Sequence, residues 1–129
     1  MFKTDRFDDR DFKPLTIAVI AVSDTRTLET DTGGALLKSL LEADGHICAE
    51  RVVVRDDIQL IRRAVQNFVA DPQVDVVLTT GGTGFSGRDV TPEAVEPLFD
   101  KRMDGFSVLF HQYSATTVGT SSLQSRATA

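Results

Sequence analysis

Residues 15–22 read LTIAVIAV, with Thr16 the one polar position. A strand with one wet face alternates apolar and polar residues, and this run does not. A continuous apolar strand fits a parallel sheet covered by helices on both faces. The polar loop 23–32 (SDTRTLETDT) follows, ending in Asp31 and Thr32, either of which can cap a helix. Leu36, Leu37, Leu40 and Leu41 predict one face of that helix, and Gly45 ends it. Residues 47–54 (ICAERVVV) form a second predicted strand. Asp56 and Gln59 stand at capping-box spacing, and Ile58, Ile61, Val65, Phe68 and Val69 predict the next buried stripe. Residues 74–79 give a third strand. Thr91-Pro92 starts another helix with Val95, Leu98 and Phe99 inward, and Phe106, Leu109 and Phe110 mark a further helical piece. This alternation predicts a three-layer α/β fold with a mainly parallel sheet and helices on both faces.

At 129 residues with 41% hydrophobic content, the chain suits one domain with a single core. A net charge of −5 argues against a general binder of nucleic acid or anionic membrane. Cys48 is the sole cysteine, which excludes an internal disulfide or a thiolate metal cluster and fits a reducing compartment. No apolar run nears the roughly 18 residues of a membrane span, and MFKTDRFDDRDFK lacks a signal-peptide core. The expectation is a soluble cytoplasmic protein. Residues 1–13 read as an arm before a domain of residues 14–129, with Phe2, Phe7 and Phe12 as anchors for a neighbouring subunit.

In parallel α/β sheets, ligands sit outside the carboxyl ends of the strands. The loops holding Ser23-Asp24, Asp56-Asp57 and residues 81–89 therefore share one rim. The third runs within TTGGTGFSGRDVTPEA (residues 79–94), with glycine at 81, 82, 84 and 87. Gly82, Gly84 and Gly87 satisfy the dinucleotide spacing, but the last glycine does not open a helix and no acidic residue ends a strand at the required distance. Arg88 follows Gly87 where a P-loop carries lysine. A solvated link needs fewer glycines. A turn that exposes backbone N–H groups to phosphate or carboxylate fits better, with Thr80, Thr83 and Ser86 as hydroxyl donors and Arg88 as a fork. Asp89 reads either as a turn residue or as a ligand for magnesium, which one or two carboxylates hold together with substrate phosphates. Asp56 or Asp57 could supply the second carboxylate, although Asp56 also reads as a cap. His46, His111 and Cys48 read as structural.

Together these segments resemble the MoaB/Mog family of molybdenum-cofactor biosynthesis proteins. The resemblance runs from Leu15 onward through AVSDTRTLETDTGG (21–34), VVRDD (53–57), TTGGTGFSGRDVTPEA, MDGF (103–106) and GTSSLQSRA (119–127). SDTRT, DKRMDGF and the ending are most similar to the MoaB branch. The resemblance implies a molybdopterin-binding fold assembled as a homotrimer or as a hexamer of two trimers. It implies an adenylyltransferase, in which the pterin's terminal phosphate attacks the α-phosphate of Mg-ATP and pyrophosphate leaves. Carried over by motif, Asp89 and Asp56 match the catalytic, Mg2+-holding carboxylates. Thr80, Gly81, Gly82, Thr83, Gly84 and Arg88 match the loop that holds pterin and phosphate, joined by Ser23, Asp24, Ser125 and Arg126. The alternative is a non-catalytic molybdopterin- or nucleotide-binding subunit serving assembly or delivery. A purely structural interaction protein would leave the glycines and Asp89 without a reason. Family members continue beyond the SRA motif with another core strand, a Pro-Gly-Ser loop and a closing helix. The resemblance thus implies a chain truncated at its C-terminus.

Overall fold

The computed structural model describes residues 11–129. Strands β1 (Thr16–Val22), β2 (Ile47–Val54) and β3 (Val76–Thr80) form one parallel sheet in the order β2-β1-β3. The apolar run takes the centre, where Ala18, Val19 and Ile20 have no solvent exposure. Its period of two divides the core between the faces. Ile20 and Val22 pack with Ile61, Val65, Ala94 and Val95 on one side, and Ile17 and Val19 pack with Leu41 on the other. Register pairs Val22 with Val54 and Ala21 with Thr80, so all three strands end at one rim.

Helix α1 (Thr32–Ala43) covers the Ile17–Val19 face. Of the two candidate caps, Asp31 is the one used, accepting from the Gly34 N–H at 2.9 Å. Leu36 and Leu40, expected on the inner face, are instead exposed at 58% and 54%. Gly34 and Leu41 are buried and Leu37 packs beside them, a stripe at i, i+3 and i+7. Leu36 and Leu40 each lie one residue, about 100°, off that stripe. The other Asp31 oxygen accepts from Arg51 of β2 at 2.9 Å, tying cap to sheet. Asp31 is 6% exposed, so Asp31→Ala removes a cap and strands a largely covered cation. Urea unfolding should show a loss of about 3 kcal/mol. A loss below about 0.5 kcal/mol, the usual surface effect, would dismiss this role.

Helix α2 (Ile58–Val69) packs on the opposite face through Ile61 and Val65, with Ile58 and Phe68 partly buried. Two expectations are corrected here. The cap is Asp57, whose carboxylate accepts from Leu60 N at 2.9 Å, because the extended backbone at Asp57 turns that side chain toward the first helical turn. Asp56 is thereby released from capping. Val69, expected inside, is 71% exposed at the helix end, where an open groove of about 700 Å³ runs along β3. Val77, Phe99 and Phe110 also line that groove.

Helix α3 (Thr91–Val95) is short and carries Pro92 in its first turn. A 3₁₀ turn, Glu96–Leu98, continues it, and Val95, Leu98 and Phe99 pack inward as the sequence predicts. Helix α4 (Asp104–Val118) buries none of its residues, and Phe106, Leu109 and Phe110 stay about two-fifths exposed. A second 3₁₀ segment, Gly119–Gln124, leads to the final residues, which return to the rim. Phe2 and Phe7 lie outside the described residues. Phe12 sets its ring 5.1 Å from that of His46, whose Nδ1 accepts from the Leu15 N–H at 3.0 Å. His46 is therefore structural. No helix among the described residues is long and apolar enough to cross a membrane.

Candidate functional site

Three strand ends place three loops side by side, and hydrogen bonds lock them together. After β1, Ser23 donates its N–H to Val54 O at 2.8 Å, while its hydroxyl accepts from Thr25 N and Arg26 N. Its side chain therefore shapes its own loop. Asp24 bridges all three loops. One oxygen accepts from Asp56 N at 3.0 Å; the other accepts from Arg88 Nε at 2.9 Å and Nη2 at 2.6 Å. The Arg88 hydrogen bonds, with that of Asp56, hold the Asp24 carboxyl below the usual carboxylate range.

The glycine loop begins as β3 ends. Thr80 points its side chain toward Gly33 at the start of α1. Gly81 and Gly82 both have positive φ, +95° and +69°. A Cβ on Gly81 would collide with the Val22 carbonyl, and one on Gly82 with the Thr91 hydroxyl. Thr91, 2% exposed, fastens this bend: its hydroxyl donates to Gly81 O at 2.8 Å and its N–H to Gly82 O at 3.0 Å. Two glycines also make room for carboxylates. A Cβ on Gly82 would lie 3.1 Å from Asp56 Oδ1, and one on Gly84 2.8 Å from Asp89 Oδ2. Asp89 and Ser86 close the loop, Ser86 N donating to Asp89 Oδ2 and Asp89 N to Ser86 O, both at 3.0 Å.

The rim carries an electrostatic imbalance. Burial pushes the Asp56 carboxyl up, and the neighbouring carboxylates of Asp24 and Asp89 push it further. The Arg88 charge and a backbone hydrogen bond from Asp24 pull the other way without reversing the shift. The N–H groups of Gly82, Thr83, Gly84 and Phe85 make no hydrogen bond among the described residues. Unsatisfied donors beside crowded carboxylates suit a phosphate accompanied by a cation. No three His, Cys, Asp or Glu residues among those described are grouped to hold a metal ion alone. A cation here would take further oxygens from a phosphate ligand, as magnesium does.

The rim thus gathers Thr80–Gly84, Asp24, Asp56, Arg88, Asp89, Ser125 and Arg126, with Ser23 turned to its own loop. Ser125 Oγ lies 3.5 Å from Thr83 Oγ1, and Arg126 N donates to Thr83 O at 2.9 Å. In the sequence Thr91 reads only as a helix start, and Glu93 is not singled out. Thr91 fastens the loop, and Glu93 pairs with Arg126. His111 sets its ring 5.6 Å from that of Phe110, and Cys48 is half-buried in β2.

Fold and site define a class: a parallel α/β domain whose strand-end loops set glycine N–H groups without partners among the described residues beside two carboxylates. Residues 18–128 match the family described as "Probable molybdopterin binding domain", and the chain belongs to that family. It is 47% identical over 112 residues to molybdenum cofactor biosynthesis protein B of Bacillus subtilis, covering 86% of this chain and 66% of that one. The Staphylococcus carnosus protein of the same name is 51% identical over 124 residues, covering 94% and 71%. A crystal structure of a molybdenum cofactor biosynthesis protein B superposes with a TM-score of 0.86 at 43% identity, covering 92% and 74%. The tungsten cofactor synthesizing protein MoaB from Pyrococcus furiosus superposes with a TM-score of 0.79 at 33% identity, covering 92% and 74%. The fold is that of MoaB and Mog proteins, and the chain spans about two thirds of the length of these curated relatives.

Proposed function

We propose that the chain binds molybdopterin at this rim and adenylylates it with Mg-ATP. The observation that carries this reading is the placing of Asp56 and Asp89 against Gly82 and Gly84, on a loop whose Gly82–Phe85 N–H groups make no hydrogen bond among the described residues. The roles divide by chemistry. Thr80–Gly84 supply backbone and hydroxyl donors to the pterin and its phosphate, joined by Ser125. Arg88, whose Nε and Nη2 are held by Asp24, would offer its remaining Nη1 to a second phosphate group. Asp56 and Asp89 are the residues that would hold magnesium, whose charge would offset that of the triphosphate. Asp24 keeps Arg88 and Asp56 in register. An oxygen of the pterin's terminal phosphate forms a bond to the α-phosphorus of ATP as the bridging bond to the β-phosphate breaks, and pyrophosphate leaves. Such a transfer needs alignment and charge neutralisation more than covalent help. The homotrimer, or hexamer of two trimers, belongs to the same proposal and is tested by sedimentation.

The test supplies purified protein with molybdopterin and Mg-ATP and follows pyrophosphate and adenylylated pterin together. Equal release of both supports the transferase. Pterin binding with no product would instead support an assembly or delivery subunit.

The raised Asp56 carboxyl gives a further expectation. Cation binding needs the ionised form, and a raised pKa retains the proton at mildly acid pH. Magnesium-dependent ATP affinity should therefore fall as pH drops, starting above the ordinary aspartate range of about 4. A flat magnesium dependence down to that range would remove Asp56 from the cation site.

A further inference from the structure

The family resemblance implies that Ser125 and Arg126 face the ligand, yet the Arg126 guanidinium is already committed. Its Nε donates to Gly84 O at 2.9 Å and leans on Thr83 O at 3.3 Å. Nη2 donates to Asp89 O at 2.8 Å, and Nη1 pairs with the Glu93 carboxylate. The Phe85 ring lies over its face, 5.5 Å from centroid to guanidinium carbon. All three nitrogens have partners within the protein, and the backbone N–H of Arg126 holds Thr83 O as well.

A peptide unit is planar and trans, so a carbonyl and the N–H of the following residue point in opposite directions. Drawing the Thr83 and Gly84 carbonyls toward Arg126 turns the N–H groups of Gly84 and Phe85 the other way. Both belong to the run Gly82–Phe85, whose N–H groups make no hydrogen bond among the described residues. Holding the Asp89 carbonyl likewise fixes the residue whose carboxylate lies against Gly84. Resting on the phosphate-binding part of the reading above, we propose that Arg126 is a positioning residue. It does not touch the ligand; it aims the Gly84 and Phe85 N–H groups at the anion, and Glu93 holds it in that pose. Lysine cannot replace it, because one ammonium cannot span three carbonyls and a carboxylate arranged around a planar fork.

The test measures pyrophosphate binding by calorimetry, without magnesium, for the unaltered protein and for Arg126→Lys and Glu93→Gln. It adds the amide resonances of Gly84 and Phe85 in the ligand-free proteins. Arg126→Lys should weaken pyrophosphate about tenfold or more and move both resonances before any anion is added. The sign for Glu93→Gln is decisive. If Arg126 merely attracted the anion, deleting the nearby negative charge would tighten binding. If Glu93 holds Arg126 in place, binding weakens. Glu93 is about half-exposed, so this variant folds even if the Arg126 change proves disruptive. Unchanged affinity in Arg126→Lys, tighter binding in Glu93→Gln, resonances that stay fixed while affinity drops, or no pyrophosphate binding by the unaltered protein would each overturn the proposal. Arg126-dependent pyrophosphate binding without adenylylation would uphold it while sinking the transferase reading alone.

Discussion

Replacing Asp89 by asparagine should cut formation of adenylylated pterin by about 10²–10³ while leaving pterin binding within about threefold of the unaltered protein, under about 1 kcal/mol. The change keeps shape and removes charge. An amide oxygen can still accept the Ser86 N–H that now donates to Asp89 Oδ2. The Asp89 backbone bonds, to Ser86 O and from Arg126, are untouched. What disappears is one of the two carboxylates proposed to hold magnesium against the triphosphate. Losing preorganised charge stabilisation of this kind costs on the order of 10²–10³ in turnover. Asp56→Asn should behave alike, since its N–H continues to bond Asp24. Single-turnover product formation beside equilibrium pterin binding checks both variants. Equal loss of binding and turnover would refute this division of labour, and near-normal turnover in both variants would remove the carboxylates from the chemistry.

Gly81→Ala should be the most damaging single methyl in the loop. At φ +95° an L side chain is strained, at about 1–3 kcal/mol. Its Cβ would also collide with the Val22 carbonyl, a backbone atom at the end of the central strand. A strand buried on both faces cannot retreat without disturbing both core layers. The expected loss is about 3–5 kcal/mol, a large share of the 5–15 kcal/mol typical of a domain. Gly82→Ala should follow closely, because its neighbours are the Thr91 hydroxyl and, at 3.1 Å, Asp56 Oδ1. Gly87 is the control: its φ is not positive and no atom lies within 4 Å of its would-be Cβ. Gly87→Ala should fall within about 1 kcal/mol of the unaltered protein. Urea midpoints for the three variants decide it, and equal losses at Gly81 and Gly87 would contradict the steric account.

Much of this protein was legible before its structure. Residues 15–22 announced a strand covered on both sides, residues 47–54 bounded β2 as observed, and Asp31 and Pro92 marked helix starts correctly. These readings succeed because they rest on local facts: a period, a capping oxygen, a ring that fixes φ. The rim followed from the parallel order, since strands running the same way must end their loops on one side. Where two residues competed locally, the sequence chose less well. Asp56 and Asp57 both offer a carboxylate before α2. Backbone direction gave the cap to Asp57, and the Asp24 carboxylate took the Asp56 N–H. Likewise four leucines in α1 fit one apolar face, but the sheet accepts only a stripe through Gly34, Leu37 and Leu41.

By itself, then, the sequence determined the order of strands and helices, the residue types at the rim and the glycines that permit its bend. Only the tertiary structure decided how each polar group is spent. Asp24 and Arg88 meet from 64 positions apart, and Arg126 reaches Gly84 from 42. A guanidinium has five N–H donors and a peptide carbonyl two lone pairs. Whether such groups face a ligand or one another depends on distances that the folded chain sets, and no local pattern encodes them.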